Sequence, residues 1–229
     1  GNQTGDQVAA NETASSYSQY LIARLVADGH FVSVPTRRYA HARGLLPLPT
    51  VTLHPVDVHR EDELAPLVER ADVVVNLLGV LHSRAATPWG PEFDRAHVQF
   101  PEMLARLCCQ YQVSHFLHIS ALGVSSDAPS GYLRSKMEGE SRIKNIFAAS
   151  QSHNWTLFRP SVVFGPDDRF MNLFAQLARW LPVLFMAGAQ SRLQPVFVGD
   201  VAKVLTAVMG QGQHFGHTYD LAGPEVYTL

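Results

Sequence analysis

Tyr132 and Lys136 stand four residues apart in the stretch SGYLRSKMEGE, residues 130–140. That spacing puts two side chains on one face of a helix. A phenol ordinarily titrates at about pH 10, and a neighbouring ammonium favours the phenolate and lowers that value, so the pair suits proton transfer with a substrate oxygen. Ser120 precedes Tyr132 by twelve residues, at the end of the apolar run HFLHIS, and its hydroxyl can hydrogen-bond the same oxygen. A Tyr-x-x-x-Lys alone also fits an ordinary helix start with an exposed phenol and a solvated lysine. The surrounding chain separates the two readings.

That chain alternates helix and strand. QYLIARLVADGH has apolar residues at helical spacing and ends at Gly29, while FVSVPTRR and VTLHPVDV are β-branched runs. EDELAPLVERA is helical, with acids in its first turn where the helix dipole favours them. DVVVNLLGV is a nearly continuous apolar run, as expected of a strand buried on both faces of a parallel sheet. A helix over about residues 91–112, the strand HFLHIS, the Tyr132 helix, the strand WTLFRPSVVFG and the helix RFMNLFAQLARWL follow. Strands separated by helical segments imply right-handed βαβ crossovers and an α/β, Rossmann-like doubly wound parallel sheet, with DVVVNLLGV and HFLHIS as adjacent central strands. In such a sheet ligands bind beyond the carboxyl ends of the strands, where Ser120 falls.

Other residues at those ends suit a dinucleotide. Arg37 and Arg38 follow the second strand, where a ribose 2′-phosphate would lie, although two solvated arginines are the plainer alternative. Asp57 and Val58 follow the third strand, and the Asp57 carboxylate can accept from an adenine amino group. Leu78 and Gly79 close the fourth strand, and a small residue there lets a cofactor approach the backbone. Pro160 can form a rigid wall beside a nicotinamide, or simply shape its strand end.

Composition sets the bounds. The 229 residues are 46% hydrophobic and 17% charged, enough for one large domain with a substantial core. A formal net charge of -2 and the lack of a basic run argue against a nucleic-acid partner. The eleven histidines are scattered without the paired spacing of a metal site, so no metal is expected. Cys108 and Cys109, adjacent in a helical pattern, read as buried reduced thiols rather than a disulfide framework. The apolar runs are too short to span a bilayer, and residues 1–18 lack the marks of a secretory signal.

Residues 1–18, GNQTGDQVAANETASSYS, are polar, and Gly1 and Gly5 are the only glycines before Gly29. They read as an atypical segment without the first strand and glycine turn of such folds. The domain reads as residues 19–229, with its C-terminal substrate region truncated after AGPEVYTL.

Ser120 together with YLRSK, FRPSVVFG, QPVFVGDVA and YDLAGPEVYTL resembles the extended and atypical short-chain dehydrogenase/reductases, which are NAD-dependent epimerase/dehydratase-like. More narrowly, PTRR, HISALG, YLRSKMEGE, RPSVVFGPDDRFMNLFA and LQPVFVGDVAKVL are similar to the complex I accessory-subunit branch, the NADPH-holding subunit and its bacterial relatives. The resemblance covers about residues 19–229 and is most specific over residues 159–175. It implies a Rossmann-type domain holding NADP(H), with NAD as the alternative, and a cofactor role more structural than catalytic. It also implies service in assembly or stability beside respiratory complex I subunits. The implied location is cytoplasmic or in the mitochondrial matrix, peripheral to the inner membrane. The alternative is an active NADP-dependent oxidoreductase or a sugar-nucleotide epimerase/dehydratase. There Tyr132 is the general acid/base, Lys136 binds ribose hydroxyls and Ser120 orients the carbonyl. One departure stands out. The family's Gly-x-x-Gly-x-x-Gly turn is absent, and ETASSYSQ occupies its place. Without glycines the backbone approaches a pyrophosphate less closely, so dinucleotide binding is expected to be weakened.

Overall fold

In chain order the computed structural model runs β1 (Gln7–Asn11), α1 (Ser16–Ala27), β2 (Phe31–Pro35), β3 (Val51–His54), α2 (Glu61–Glu69) and β4 (Val73–Asn76). A continuous helical stretch follows: α3 (Pro91–Phe93), a π-helical segment (Asp94–Gln99) and α4 (Phe100–Gln110). Then come β5 (His115–Ile119), α5 (Gly131–Ala149), β6 (Trp155–Pro160), β7 (Val163–Phe164), β8 (Arg192–Leu193), β9 (Val196–Phe197), α6 (Val198–Val208), β10 (His217–Leu221) and β11 (Tyr227–Thr228). The structure describes residues 7–11, 16–37, 42, 44–166 and 192–228. The expected helix RFMNLFAQLARWL lies outside them.

Seven strands form one parallel sheet in the order β10-β6-β5-β4-β1-β2-β3. β4 and β5 are neighbours, with Asn76 opposite His118, as their apolar runs predict. Helices cover both faces. On one, Leu21, Ile22 and Leu25 of α1 and Val201, Ala202 and Leu205 of α6 pack over Val32, Val75 and Leu117. On the other, Leu64 and Val68 of α2, Leu104 and Leu107 of α4, and Ile143 and Phe147 of α5 pack over Val74, Phe116 and Leu157. Each such fully buried Leu, Ile or Phe contributes roughly 1.5–3 kcal/mol of transfer free energy, which fixes which face each helix turns inward. Cys108 is buried and Cys109 half-buried, and both are free thiols whose pKa burial raises. Among the described residues no helix is long and apolar enough to cross a membrane.

The expectation for residues 1–18 needs correction. β1 pairs in parallel with β2, Gln7 opposite Phe31, and with β4, Val8 opposite Val73 and Asn11 opposite Asn76. A first strand is therefore present, at the centre of the sheet and inside the domain rather than before it. The sequence reading weighed the polarity of the whole segment. Backbone ladders on both edges satisfy a five-residue strand regardless of its flanks. Residues 12–15, within the segment where the glycine-rich turn is missing from the sequence, lie outside the described residues.

Two details seat α5. Ser130 caps it, its hydroxyl accepting from Leu133 N–H at 3.2 Å, which sets Tyr132 in the first turn. At Gly139, α5 meets the π-helical segment. Pro101 lacks the N–H that an α-helix would aim at the carbonyl of His97, four residues back. The ladder widens there, and that carbonyl comes against Gly139, where a Cβ would lie 2.0 Å from His97 O. Gly139→Ala is therefore expected to destabilise the fold by about 1–3 kcal/mol, because backbone, not a flexible side chain, must move. Urea unfolding checks this, and an Ala variant as stable as the parent refutes the contact.

Candidate functional site

The polar residues gather beyond the carboxyl ends of β4 and β5, under the π-helical segment and the first turns of α5. His97 is fully buried and lies at the centre. Its Nε2 accepts from Val80 N–H at 3.1 Å, so the ring proton sits on Nδ1, which donates to Ser135 Oγ at 2.9 Å. Ser135 in turn donates to the Tyr132 carbonyl at 2.8 Å. Burial, and then the Lys136 ammonium, pushes His97 down to about 3, so the ring is neutral at physiological pH. Neither the histidine spacing nor the helical pattern singled out His97.

Lys136 is buried, and its Nζ donates to Ile119 O at 3.0 Å, at the residue before Ser120. Gly79 admits it: a Cβ there would stand 3.3 Å from Lys136 Nζ and 3.9 Å from His97 Nε2. The Tyr132 ring stands edge-on to His97, centroids 5.2 Å apart, and edge-on to Phe93 at 5.9 Å. The structure thus brings Gly79, Lys136 and Tyr132 around His97. The expected lowering of the Tyr132 pKa does not occur. Enclosure between these rings raises it above its ordinary value, since the uncharged phenol is favoured where water is excluded.

Ser120 is buried, its N–H donating to Phe158 O at 2.7 Å. Its hydroxyl has no hydrogen-bond partner among the described residues. Asn76 Nδ2 and both ring nitrogens of His118 share that state, although Asn76 Oδ1 accepts from Leu78 N–H at 3.0 Å. Asn76 and His118 were missed in the sequence. The available signal was a polar residue inside an otherwise apolar strand run, which a fully buried sheet position makes costly.

Of the remaining candidates, Arg37, Asp57 and Val58 follow β2 and β3 in the other half of the sheet, while Leu78 follows β4 and Pro160 ends β6. Arg37 is exposed, with Nη1 3.8 Å from Asp57 Oδ2, and Arg38 lies outside the described residues. Asp57 N–H donates to Glu63 at 2.8 Å, and its carboxylate accepts from His59 N–H at 3.1 Å. The Val58 side chain sits in the core with Phe100, and Leu78 packs at the edge of the same cluster. Pro160 is buried at the end of β6, its carbonyl accepting from Leu122 N–H at 2.9 Å. One buried ion pair anchors α5 to β6. Arg159 donates through Nε and Nη2 to the two carboxylate oxygens of Glu140, at 2.9 and 2.7 Å.

The family model described as the NAD dependent epimerase/dehydratase family matches residues 17–222. Curated relatives include the Mus musculus and Arabidopsis thaliana proteins named NADH dehydrogenase [ubiquinone] 1 alpha subcomplex subunit 9, mitochondrial, each 30% identical over 92% of this chain. The chain spans about half of their length, 55% and 52%. Among solved structures, the Bordetella bronchiseptica enzyme WbmF in complex with NAD+ superposes with a TM-score of 0.80 at 16% identity, over 99% of this chain and 76% of that one. UDP-glucuronic acid 4-epimerase from Bacillus cereus does so with a TM-score of 0.80 at 19% identity, over 97% of this chain and 79% of that one. These likenesses carry the fold.

Proposed function

The chain belongs to the NAD dependent epimerase/dehydratase family, and from that premise we propose that it is a dinucleotide-holding accessory protein of the respiratory complex I type, serving assembly or stability. The observation that carries this reading is the state of Tyr132. Burial raises its phenol above the ordinary value rather than lowering it, and the Lys136 ammonium donates one of its hydrogens to the Ile119 carbonyl. Such a site holds a nucleotide better than it exchanges protons. The curated relatives' names place them with a ubiquinone-linked NADH dehydrogenase, which supports complex I subunits as partners. The matching location is the mitochondrial matrix or the cytoplasm, peripheral to the inner membrane.

The residues suit a dinucleotide. Gly79 keeps the backbone open beside Lys136, and Lys136 and Tyr132 can meet ribose hydroxyls. Arg37 can pair with a 2′-phosphate, and we assign NADP(H) over NAD on that ground. The Ser120 hydroxyl favours a second reading, catalysis of oxidoreduction or epimerisation, because no group among the described residues holds it and it can turn toward a substrate oxygen. When bound, the nicotinamide supplies hydride exchange. Tyr132 then gives or takes the oxygen's proton while Lys136 holds the ribose.

Native mass spectrometry of the purified chain tests holding, with co-purified NADP(H) as the expected result and a bare chain as the refuting one. The Arg37→Ala/Arg38→Ala variant is expected to lose about tenfold of the NADP-over-NAD affinity ratio, the equivalent of one charge-assisted contact of about 1.4 kcal/mol. An unchanged ratio removes the arginines from the assignment. NADPH oxidation with a carbonyl substrate that Tyr132→Phe abolishes favours the second reading.

A further inference from the structure

Of the seven buried side-chain atoms without a hydrogen-bond partner among the described residues, three stand apart, on Tyr17, His30 and Thr50, and four belong to three neighbouring residues. Asn76 and His118 are opposite each other in the register of β4 and β5, and both are almost fully buried. Ser120 lies two residues beyond His118, on the same side of the sheet, and is 3% exposed. On that side His118 stacks on Phe116, at 6.3 Å between centroids, so the ring points toward the core under α4 and α5. The side chains of Asn76, His118 and Ser120 thus share one side of the sheet and carry four polar atoms without partners among the described residues: Asn76 Nδ2, His118 Nδ1, His118 Nε2 and Ser120 Oγ.

Leaving such atoms dry is expensive. Each unpaired buried donor or acceptor costs about 1–3 kcal/mol, so four would consume much of a domain's net stability of roughly 5–15 kcal/mol. Their chemistry is complementary to one small molecule. Asn76 Nδ2 can only donate, a neutral imidazole offers one donor and one acceptor, and the serine hydroxyl can do either. Water bonded to two to four such groups is the usual occupant of a closed polar site.

We propose that Asn76, His118 and Ser120 enclose an internal water site at the carboxyl ends of β4 and β5, and that this water sets the direction of the Ser120 hydroxyl. Asn76 donates to the water, His118 bonds it through a ring nitrogen, and Ser120 takes the remaining position. His118 is then a positioning residue that acts on Ser120 without touching any ligand. The site stands whether or not the chain holds a dinucleotide.

A high-resolution crystal structure of the full chain is expected to show a water within hydrogen-bond distance of Asn76 Nδ2 and a His118 ring nitrogen. In solution, water cross-peaks to the Asn76 side-chain amide and the His118 ring N–H are expected in cross-relaxation spectra. His118→Phe keeps a ring but no polar atom, and should lose those cross-peaks, lower the unfolding midpoint and leave Ser120 in more than one rotamer. His118→Gln, which restores a donor and an acceptor, should recover the water and the single rotamer. A dry pocket, a direct bond from Asn76 to His118, or a His118→Phe variant with a raised midpoint overturns the proposal. If His118→Phe does not fold, the crystal structure and cross-peaks of the unaltered chain still decide it.

Discussion

Acidification from pH 7 to pH 5 is expected to lower the unfolding midpoint by about 10 °C. Burial holds His97 down to about 3 and His115 to about 4, and keeps His118 well below its ordinary value. The geometry agrees with neutral rings. His97 Nε2 and His115 Nδ1 are both acceptors, from Val80 N–H and Gly210 N–H at 3.1 Å each, and protonation would set two hydrogens against each other. The unfolded chain titrates these groups at about 6.5 and takes up protons first. Folded-state values lie below unfolded ones, so this stability is fully present above about pH 6.5. It is lost as pH falls from there toward 4 for His115 and toward 3 for His97. At pH 5 each of those two rings costs about 2 kcal/mol, and at roughly 2–4 °C per kcal/mol the pair accounts for the shift. Scanning calorimetry across this range, with histidine ring titration by NMR, provides the check. A midpoint flat between pH 7 and 5, or a protonated His97 in the folded chain at pH 5, would refute the assignment.

Arg159→Ala should cost about 3–5 kcal/mol, because it strands a charge rather than removing one. Glu140 is fully buried, and without Arg159 its carboxylate keeps, as an ion-pair partner among the described residues, only Lys144, at 3.6 Å. Exchanging both partners for apolar residues of similar volume, Arg159→Met with Glu140→Leu, should fall much closer to the parent, since no charge is left behind. Glu140 follows Lys136 by four residues on α5, so loosening this pair also frees the helix face that carries Lys136 and Tyr132. Dinucleotide retention should therefore drop with the single variant. Urea titration of the single and double variants measures both values, and a single-variant loss below about 1 kcal/mol would show that Arg159 does not stabilise the buried carboxylate.

Much of the architecture was legible because buried parallel strands leave continuous apolar runs. DVVVNLLGV and HFLHIS announced β4 and β5, and the four-residue spacing of Tyr132 and Lys136 announced one face of α5. β1 was not legible. Its residues, QVAAN, sit in a polar stretch, and its place comes from ladders with partners that local composition does not encode. The π-helical turn was hidden for a related reason: Pro101 suggests a disturbance, but only the approach of α5 at Gly139 shows where the displaced carbonyl goes. The direction of the Tyr132 shift was misjudged because spacing locates a charge without giving the enclosure around it. Here burial beside Phe93 and His97 raises the pKa.

The position of β1 also orders the assembly of the sheet in time. It is the earliest strand among the described residues, yet one of its ladders joins Val8 to Val73, across more than sixty intervening residues. Closing so long a loop is entropically unfavourable until later contacts offset it, and high contact order slows folding. As synthesis proceeds, β1 can pair with β2 at once, but its other edge waits unpaired until β4 emerges. The half-sheet that results exposes a bare central edge, the kind of surface that templates association with other chains. A nascent chain stalled before residue 73 is thus the form of this protein most in need of a chaperone.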